Sequence, residues 1–231
     1  MIDIHSHIIP FVDDGSSTIE QSLKMIDEAI SQGITDIICT PHYRKSMFEV
    51  KNSDIKENFL AIKKAAQNRL VNLYLGREIY LRKTEEFMDS INSDLALTLN
   101  NSKFVLLEFS YKDKTEISEI AYVVALKGYI PIIAHIERYS YVDIEEVREI
   151  KSGGALVQIN ASSVVGREGA RLKKFVFALI KEGLVDFVAS DVHENRQNLM
   201  NKAYNIVVKK FGLAHGQKLF RDNALAIIST E

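Results

Sequence analysis

Short, mostly apolar runs alternate with amphipathic stretches along the chain, and their order repeats. Thr18 to Gln32 places Leu23, Ile26, Ala29 and Ile30 at helical spacing, Gly33 ends it, and Ile34 to Cys39 reads as a buried strand. The same unit recurs as Ala121–Lys127, Gly128 and Ile130–Ala134; as Ile144–Ser152, Gly153-Gly154 and Leu156–Ile159; and as Phe175–Glu182, Gly183 and Val185–Ala189. Met1 to His7, Asn72 to Gly76 and Lys103 to Leu107 supply three more strands. Leu81 to Leu99 is less regular and predicts a short helix and an extended piece, and Asn198–Phe211 and Gly216–Phe220 predict closing helices. Continuous apolar strands alternating with helices predict an α/β fold around a parallel sheet covered on both sides. No Pro/Gly/Ser-rich linker interrupts the pattern, so the expectation is one domain over residues 1–231.

The residue after each strand is polar, and the types are not random. His5 and His7 lie one residue apart on the first strand, so their side chains point the same way. Asp13-Asp14-Gly15 follows on a turn. The later strand ends carry His42, Glu78, Glu108, His135, Asp191 and His193, so five of the six histidines fall at strand ends. His215, the sixth, reads as a surface residue. Parallel α/β folds build their sites at the carboxyl ends of strands. Imidazoles and carboxylates converging there make a site for divalent metal, and nine candidate ligands exceed the four to six that one ion takes. Arg138 and Arg196 each lie three residues beyond a candidate ligand, where a charged fork suits an oxyanion such as phosphate. Tyr43, Phe48, Tyr80, Phe109, Tyr111 and Tyr139 fall in or near the same loops and offer an aromatic wall.

Composition narrows the field. At 231 residues the chain is long enough for one barrel of roughly 200–250 residues. A net charge of −2 gives no support to a nucleic-acid-binding surface. No basic and apolar leader precedes the first strand, and no apolar run approaches the roughly 20 residues that span a bilayer, which predicts a cytoplasmic protein without direct membrane insertion. The single cysteine, Cys39, cannot form an intrachain disulfide. Nor does it fit a cysteine phosphatase: that chemistry needs arginine six residues on, where Lys45 stands, with Arg44 one position early. Phosphate-binding glycine loops, a dinucleotide fingerprint and a serine nucleophile elbow are absent.

Taken together, Met1-Ile2-Asp3-Ile4-His5-Ser6-His7, Asp13-Asp14-Gly15, Thr40-Pro41-His42, Glu78-Ile79-Tyr80, Leu107-Glu108-Phe109, Ile133 to Tyr139 and Ala189 to His193 resemble the polymerase-and-histidinol-phosphatase (PHP) superfamily. Within it they are similar to the bacterial tyrosine-protein phosphatases of capsule and exopolysaccharide synthesis. That resemblance implies a distorted (β/α)7 barrel of PHP type. It implies two or three divalent metal ions, manganese foremost with iron, zinc or magnesium compatible. The ligands would be His5, His7, Asp14, His42, Glu78, Glu108, His135, Asp191 and His193, with Arg138 and Arg196 on the phosphate. The implied partner is an autophosphorylating bacterial tyrosine kinase. A phosphomonoesterase of the histidinol-phosphatase type is the alternative. An amidohydrolase with a carboxylated lysine is disfavoured, because Glu78 and Glu108 stand at those strand ends.

Overall fold

Every paired strand in the computed structural model, which describes residues 1–229, runs parallel to its neighbour. The last two residues of the expected 1–231 domain lie outside the described residues. The strands are β1 (Ile2–Ser6), β2 (Asp36–Cys39), β3 (His42–Tyr43), β4 (Asn72–Leu75), β5 (Glu78–Tyr80), β6 (Phe104–Glu108), β7 (Ile130–Ile133), β8 (Leu156–Asn160) and β9 (Phe187–Ala189). They make seven staves, because β2 continues into β3 and β4 into β5 across short breaks. β1, β2 and β4 pair in that order, and β3, β5, β6, β7, β8 and β9 pair in theirs. β9 returns to β1: Asp191 N–H donates to His5 O at 2.9 Å and His7 N–H to Val192 O at 3.0 Å. The result is the curled parallel sheet of a distorted (β/α)7 barrel.

The two breaks have local causes. Pro41 cannot donate a ladder hydrogen bond between β2 and β3. Gly76 lets the turn at Leu99 approach; a Cβ there would lie 2.5 Å from Leu99 Cδ2. Arg77, fully buried, fills the second break. Its guanidinium donates to Leu95 O (2.7 Å), Asn52 Oδ1 (3.0 Å) and His42 O (3.2 Å), so it holds β3 in place.

Helices cover the outside: α1 (Ile19–Ser31), α2 (Asn52–Ala65), α3 (Thr84–Asn92), α4 (Ile117–Leu126), α5 (Ile144–Ser152), α6 (Ala161–Val165), α7 (Ala170–Lys181), α8 (Met200–Phe211), α9 (Leu213–Gln217) and α10 (Asn223–Ile228). Thr18 caps α1 by accepting from Gln21 N–H, and α5 spans the residues its spacing predicts. α4 and α7 begin four and five residues before the predicted starts at Ala121 and Phe175. The strand-and-glycine pattern leaves 44–71 unassigned, yet α2 lies there. Its buried Ile55, Phe59 and Ile62 have helical spacing, but the intervening lysines and glutamates dilute the apolar signal.

Two cores result. One packs alternate strand positions such as Leu107, Ile133, Val157 and Val188 with the outer helices. The other gathers Ile4, Ile38, Leu106, Ile132, Phe187 and Ala189 with Ala224 and Ile227 of α10. Among the described residues no helix is long and apolar enough to cross a membrane.

Candidate metal centre

The strands deliver all nine ligand-type side chains to one place. Their ligand atoms form four overlapping groups, each with its atoms within 4.8 Å of one another: His7/Asp14/His42/His193, His5/Glu78/His135, His5/His7/Asp191 and His42/Glu78/Glu108. His5 Nε2 and His7 Nε2 lie 3.1 Å apart, as their spacing on β1 predicts. Glu78 Oε2 is 3.3 Å from the first and 3.4 Å from the second, and 2.9 Å from His42 Nδ1. Glu78 Oε1 is 3.0 Å from His135 Nε2. Asp14, on its half-exposed turn, reaches His42 Nε2 at 3.5 Å and His193 Nε2 at 3.6 Å. Ligand bonds of about 2.0–2.2 Å place two donors on one ion roughly 3–3.5 Å apart, so these separations suit shared ions.

The donor set also fits metal by what it leaves unsatisfied. Glu108 Oε2 is buried without a hydrogen bond, and His42 Nδ1 and Glu78 Oε2 approach to 2.9 Å without forming one. Buried polar atoms without partners are costly, and a cation would satisfy them together. Burial alone would lower the pKa of His5, but Glu78 overrides it and raises it to about 9; burial opposes Asp13 at His7 in the same way, and the outcome is about 10. Burial likewise works against ionised Glu78, yet His5 and His42 hold its carboxyl well below the ordinary range. Glu108 is pushed up by burial and by the neighbouring Glu78.

Two of the nine sit on strained backbone. His135 has φ +32° and Asp191 φ +50°, the left-handed region, two residues beyond the ends of β7 and β9. Such conformations persist where surrounding structure imposes them.

The supporting residues were not legible as such in the sequence. Asp13, rather than its neighbour, accepts from His42 N–H at 2.9 Å and pairs with His7 Nδ1 at 2.8 Å, fixing that ring. Gln158 Oε1 lies 3.0 Å from His5 Nδ1 and accepts from His135 N–H at 3.1 Å. Its amide donates to Asn160 Oδ1, and Asn160 Nδ2 donates to Asp191 Oδ2 at 2.9 Å. β8 thus contributes no charged ligand and instead orients three. The signal was two amides two residues apart within a buried strand.

A cavity of about 180 Å³ opens over the cluster. Arg138 Nη1 donates to Asp191 Oδ2 at 2.7 Å and Arg196 Nη1 to the same oxygen at 3.0 Å, so both guanidinia stand at its rim. Of the candidate aromatic wall, Phe48 and Tyr111 line the cavity. Phe48 stacks on His42, and Tyr111 donates to Glu108 Oε1 at 2.7 Å. Tyr139 packs behind Tyr111 and His135, Tyr43 and Phe109 are buried in the outer core, and Tyr80 lies under Arg44. Cys39 is fully buried, which pushes its thiol up to about 12. His215 is exposed.

Comparison with known proteins agrees with this geometry. The family described as "Capsular polysaccharide synthesis, CpsB/CapC" matches residues 1–229. Tyrosine-protein phosphatase CpsB of Streptococcus agalactiae is 38% identical over 240 aligned positions, covering 99% of this chain and 98% of that protein. Tyrosine-protein phosphatase YwqE of Bacillus subtilis is 34% identical, covering 92% and 85%. A crystal structure from work on YwqE of B. subtilis and CpsB of Streptococcus pneumoniae, metal-dependent tyrosine phosphatases, superposes with a TM-score of 0.90 at 30% identity over 100% of this chain and 96% of that one. Histidinol phosphate phosphatase of Lactococcus lactis shares the fold, with a TM-score of 0.58 at 15% identity. The chain belongs to the CpsB/CapC family of capsular polysaccharide synthesis.

Proposed function

We propose that this chain is a metal-dependent phosphatase that removes phosphate from phosphotyrosine in proteins. The observation that carries the reading is the convergence of nine imidazole and carboxylate side chains beneath two arginines in one cavity. His5, His7, Asp14, His42, Glu78, Glu108, His135, Asp191 and His193 would hold two or three divalent ions, manganese foremost. His5, His7, His42 and Glu78 each belong to two of the ligand groups. Once bound, the ions supply Lewis acidity toward phosphate oxygens and acidify a water toward neutrality.

The chain's own residues do the rest. Arg138 and Arg196 present donors at the rim, where the equatorial phosphate oxygens carry charge in the transition state. Asp191 holds both forks in advance, so little ordering is left for substrate binding. No side chain serves as the nucleophile. Cys39 is buried and protonated, and the hydroxyls of Ser6, Ser16 and Ser190 donate to the backbone carbonyls of Ile38, Thr18 and His5. Attack therefore falls to water. A tyrosine phenolate leaves readily because its pKa is about 10, so a strong general acid is unnecessary.

Phosphotyrosine is favoured over histidinol phosphate because the relatives at 34–38% identity are tyrosine phosphatases. The matching partner is an autophosphorylating tyrosine kinase of capsule or exopolysaccharide synthesis, met in the cytoplasm. The test is turnover of a phosphotyrosine peptide by metal-stripped protein with and without added manganese, iron, zinc or magnesium, beside histidinol phosphate. Turnover indifferent to stripping, or a preference for histidinol phosphate, overturns the reading. Elemental analysis showing fewer than two ions per chain after reconstitution would overturn the multinuclear centre.

A further inference from the structure

A groove of about 910 Å³ opens beside the metal-centre cavity, and Arg138 lines both. One wall is the segment from Tyr139 into α5; the other is the start of α7, with Arg171, Leu172 and Phe175. Each of the groove's four carboxylates has a partner within the chain, buried Glu137 through one oxygen that accepts from Asn160 N–H and Ser163. Asp143 caps α5 by accepting from Glu146 N–H, Glu145 pairs with Arg148, and Glu168 accepts from Ser162 and Ser163. Arg171 differs: it is exposed, and its side chain has no ion pair or hydrogen bond among the described residues. It stands in the first turn of α7, which carries no acidic residue, so a cation meets the positive end of the helix dipole. An anion seated there relieves that conflict and gains the guanidinium fork. Beside it Leu172, Phe175 and Ile144 leave apolar surface partly exposed.

We propose that this groove seats the substrate residues flanking the phosphotyrosine, taking an acidic side chain on Arg171 and an apolar neighbour against Leu172 and Phe175. The inference rests on the phosphotyrosine reading. Continuity carries it: a peptide whose phosphate lies under Arg138 has this groove as the adjoining concave surface. The enzyme is thereby selective for acidic, apolar-flanked sites rather than for phosphotyrosine alone.

The experiment compares two phosphotyrosine peptides that differ only in acidic or lysine flanks, together with p-nitrophenyl phosphate, which has no flanks. The metal-loaded protein prefers the acidic peptide about tenfold in kcat/KM, as one partly desolvated charge pair allows. Arg171→Glu abolishes or inverts that preference and changes p-nitrophenyl phosphate turnover less than twofold. An unchanged ratio in Arg171→Glu, or no preference in the parent protein, overturns the groove. Binding of a labelled acidic-flanked peptide with a non-hydrolysable phosphonate, read by fluorescence polarisation, separates the two readings. Weaker binding to Arg171→Glu supports the groove even if all three substrates resist hydrolysis, an outcome that would overturn the phosphatase reading alone.

Discussion

The inner surface of the barrel has two ends built from the same strands. At one end Leu106, Ile132 and Phe187 meet Ile227 of α10 in a dry apolar cluster. At the other, Glu108 lies two residues beyond Leu106 and His135 three beyond Ile132, among buried imidazoles and carboxylates. The first end lowers free energy by removing apolar area from water. The second buries imidazoles and carboxylates whose desolvation is offset by their mutual attraction. Stability and chemistry are therefore separated along each strand, and a shift of two or three residues crosses from one to the other.

That division can be broken or sharpened by experiment. Chelation, or Glu78→Ala, should lower phosphotyrosine turnover roughly a thousandfold or more, the several kcal/mol that metal assistance supplies, while far-UV circular dichroism keeps its folded form. Loss of fold would show that the charged end is also structural. Arg138→Ala should cost roughly 10²–10³ in kcat with metal content unchanged by elemental analysis. Gln158→Leu, which leaves His5 Nδ1 without its amide, should weaken metal binding roughly 10–100-fold in a competition titration. At the apolar end, Ile227→Ala should cost about 2–5 kcal/mol in urea unfolding, with activity per folded molecule retained.

The smallest effect belongs to Cys39. Its thiol titrates near 12 in the fold against an ordinary 9, so only the unfolded chain ionises between those values. Its contribution is constant below about pH 9 and falls as pH rises through 9 to 12, by on the order of 1 kcal/mol at pH 10. Urea unfolding at pH 8 and pH 10 should show that loss shrinking in Cys39→Ala. Activity of that variant should stay within twofold; a greater loss would reopen thiol chemistry.

Much of this architecture was legible in the chain because strands buried on both faces have to be apolar throughout. A histidine or carboxylate at the end of such a run has no ordinary reason to be there, so eight of the nine candidate ligands stood out at strand ends, with Asp14 on a turn. Asp13, Gln158 and Asn160 did not, because an amide or a second carboxylate near a strand end resembles any polar residue meeting solvent. α2 escaped for the opposite reason: its lysines and glutamates hide Ile55, Phe59 and Ile62. The interruption after Cys39 resembled a strand end, and only pairing shows that β3 continues the same stave beside β5.

The left-handed backbone at His135 and Asp191 marks what a retired copy of this protein would become. Each position carries about 1 kcal/mol of conformational cost that glycine would not incur. While the side chains serve chemistry, that cost is tolerated. A duplicated gene freed from catalysis would shed that cost by drifting to glycine at 135, and at 191 only together with changes at Asn160, Arg138 and Arg196, which donate to Asp191, leaving the apolar plug intact. Glycine at both positions is thus a readable scar of lost enzymatic duty, separable from the random decay of ligands elsewhere in the cluster.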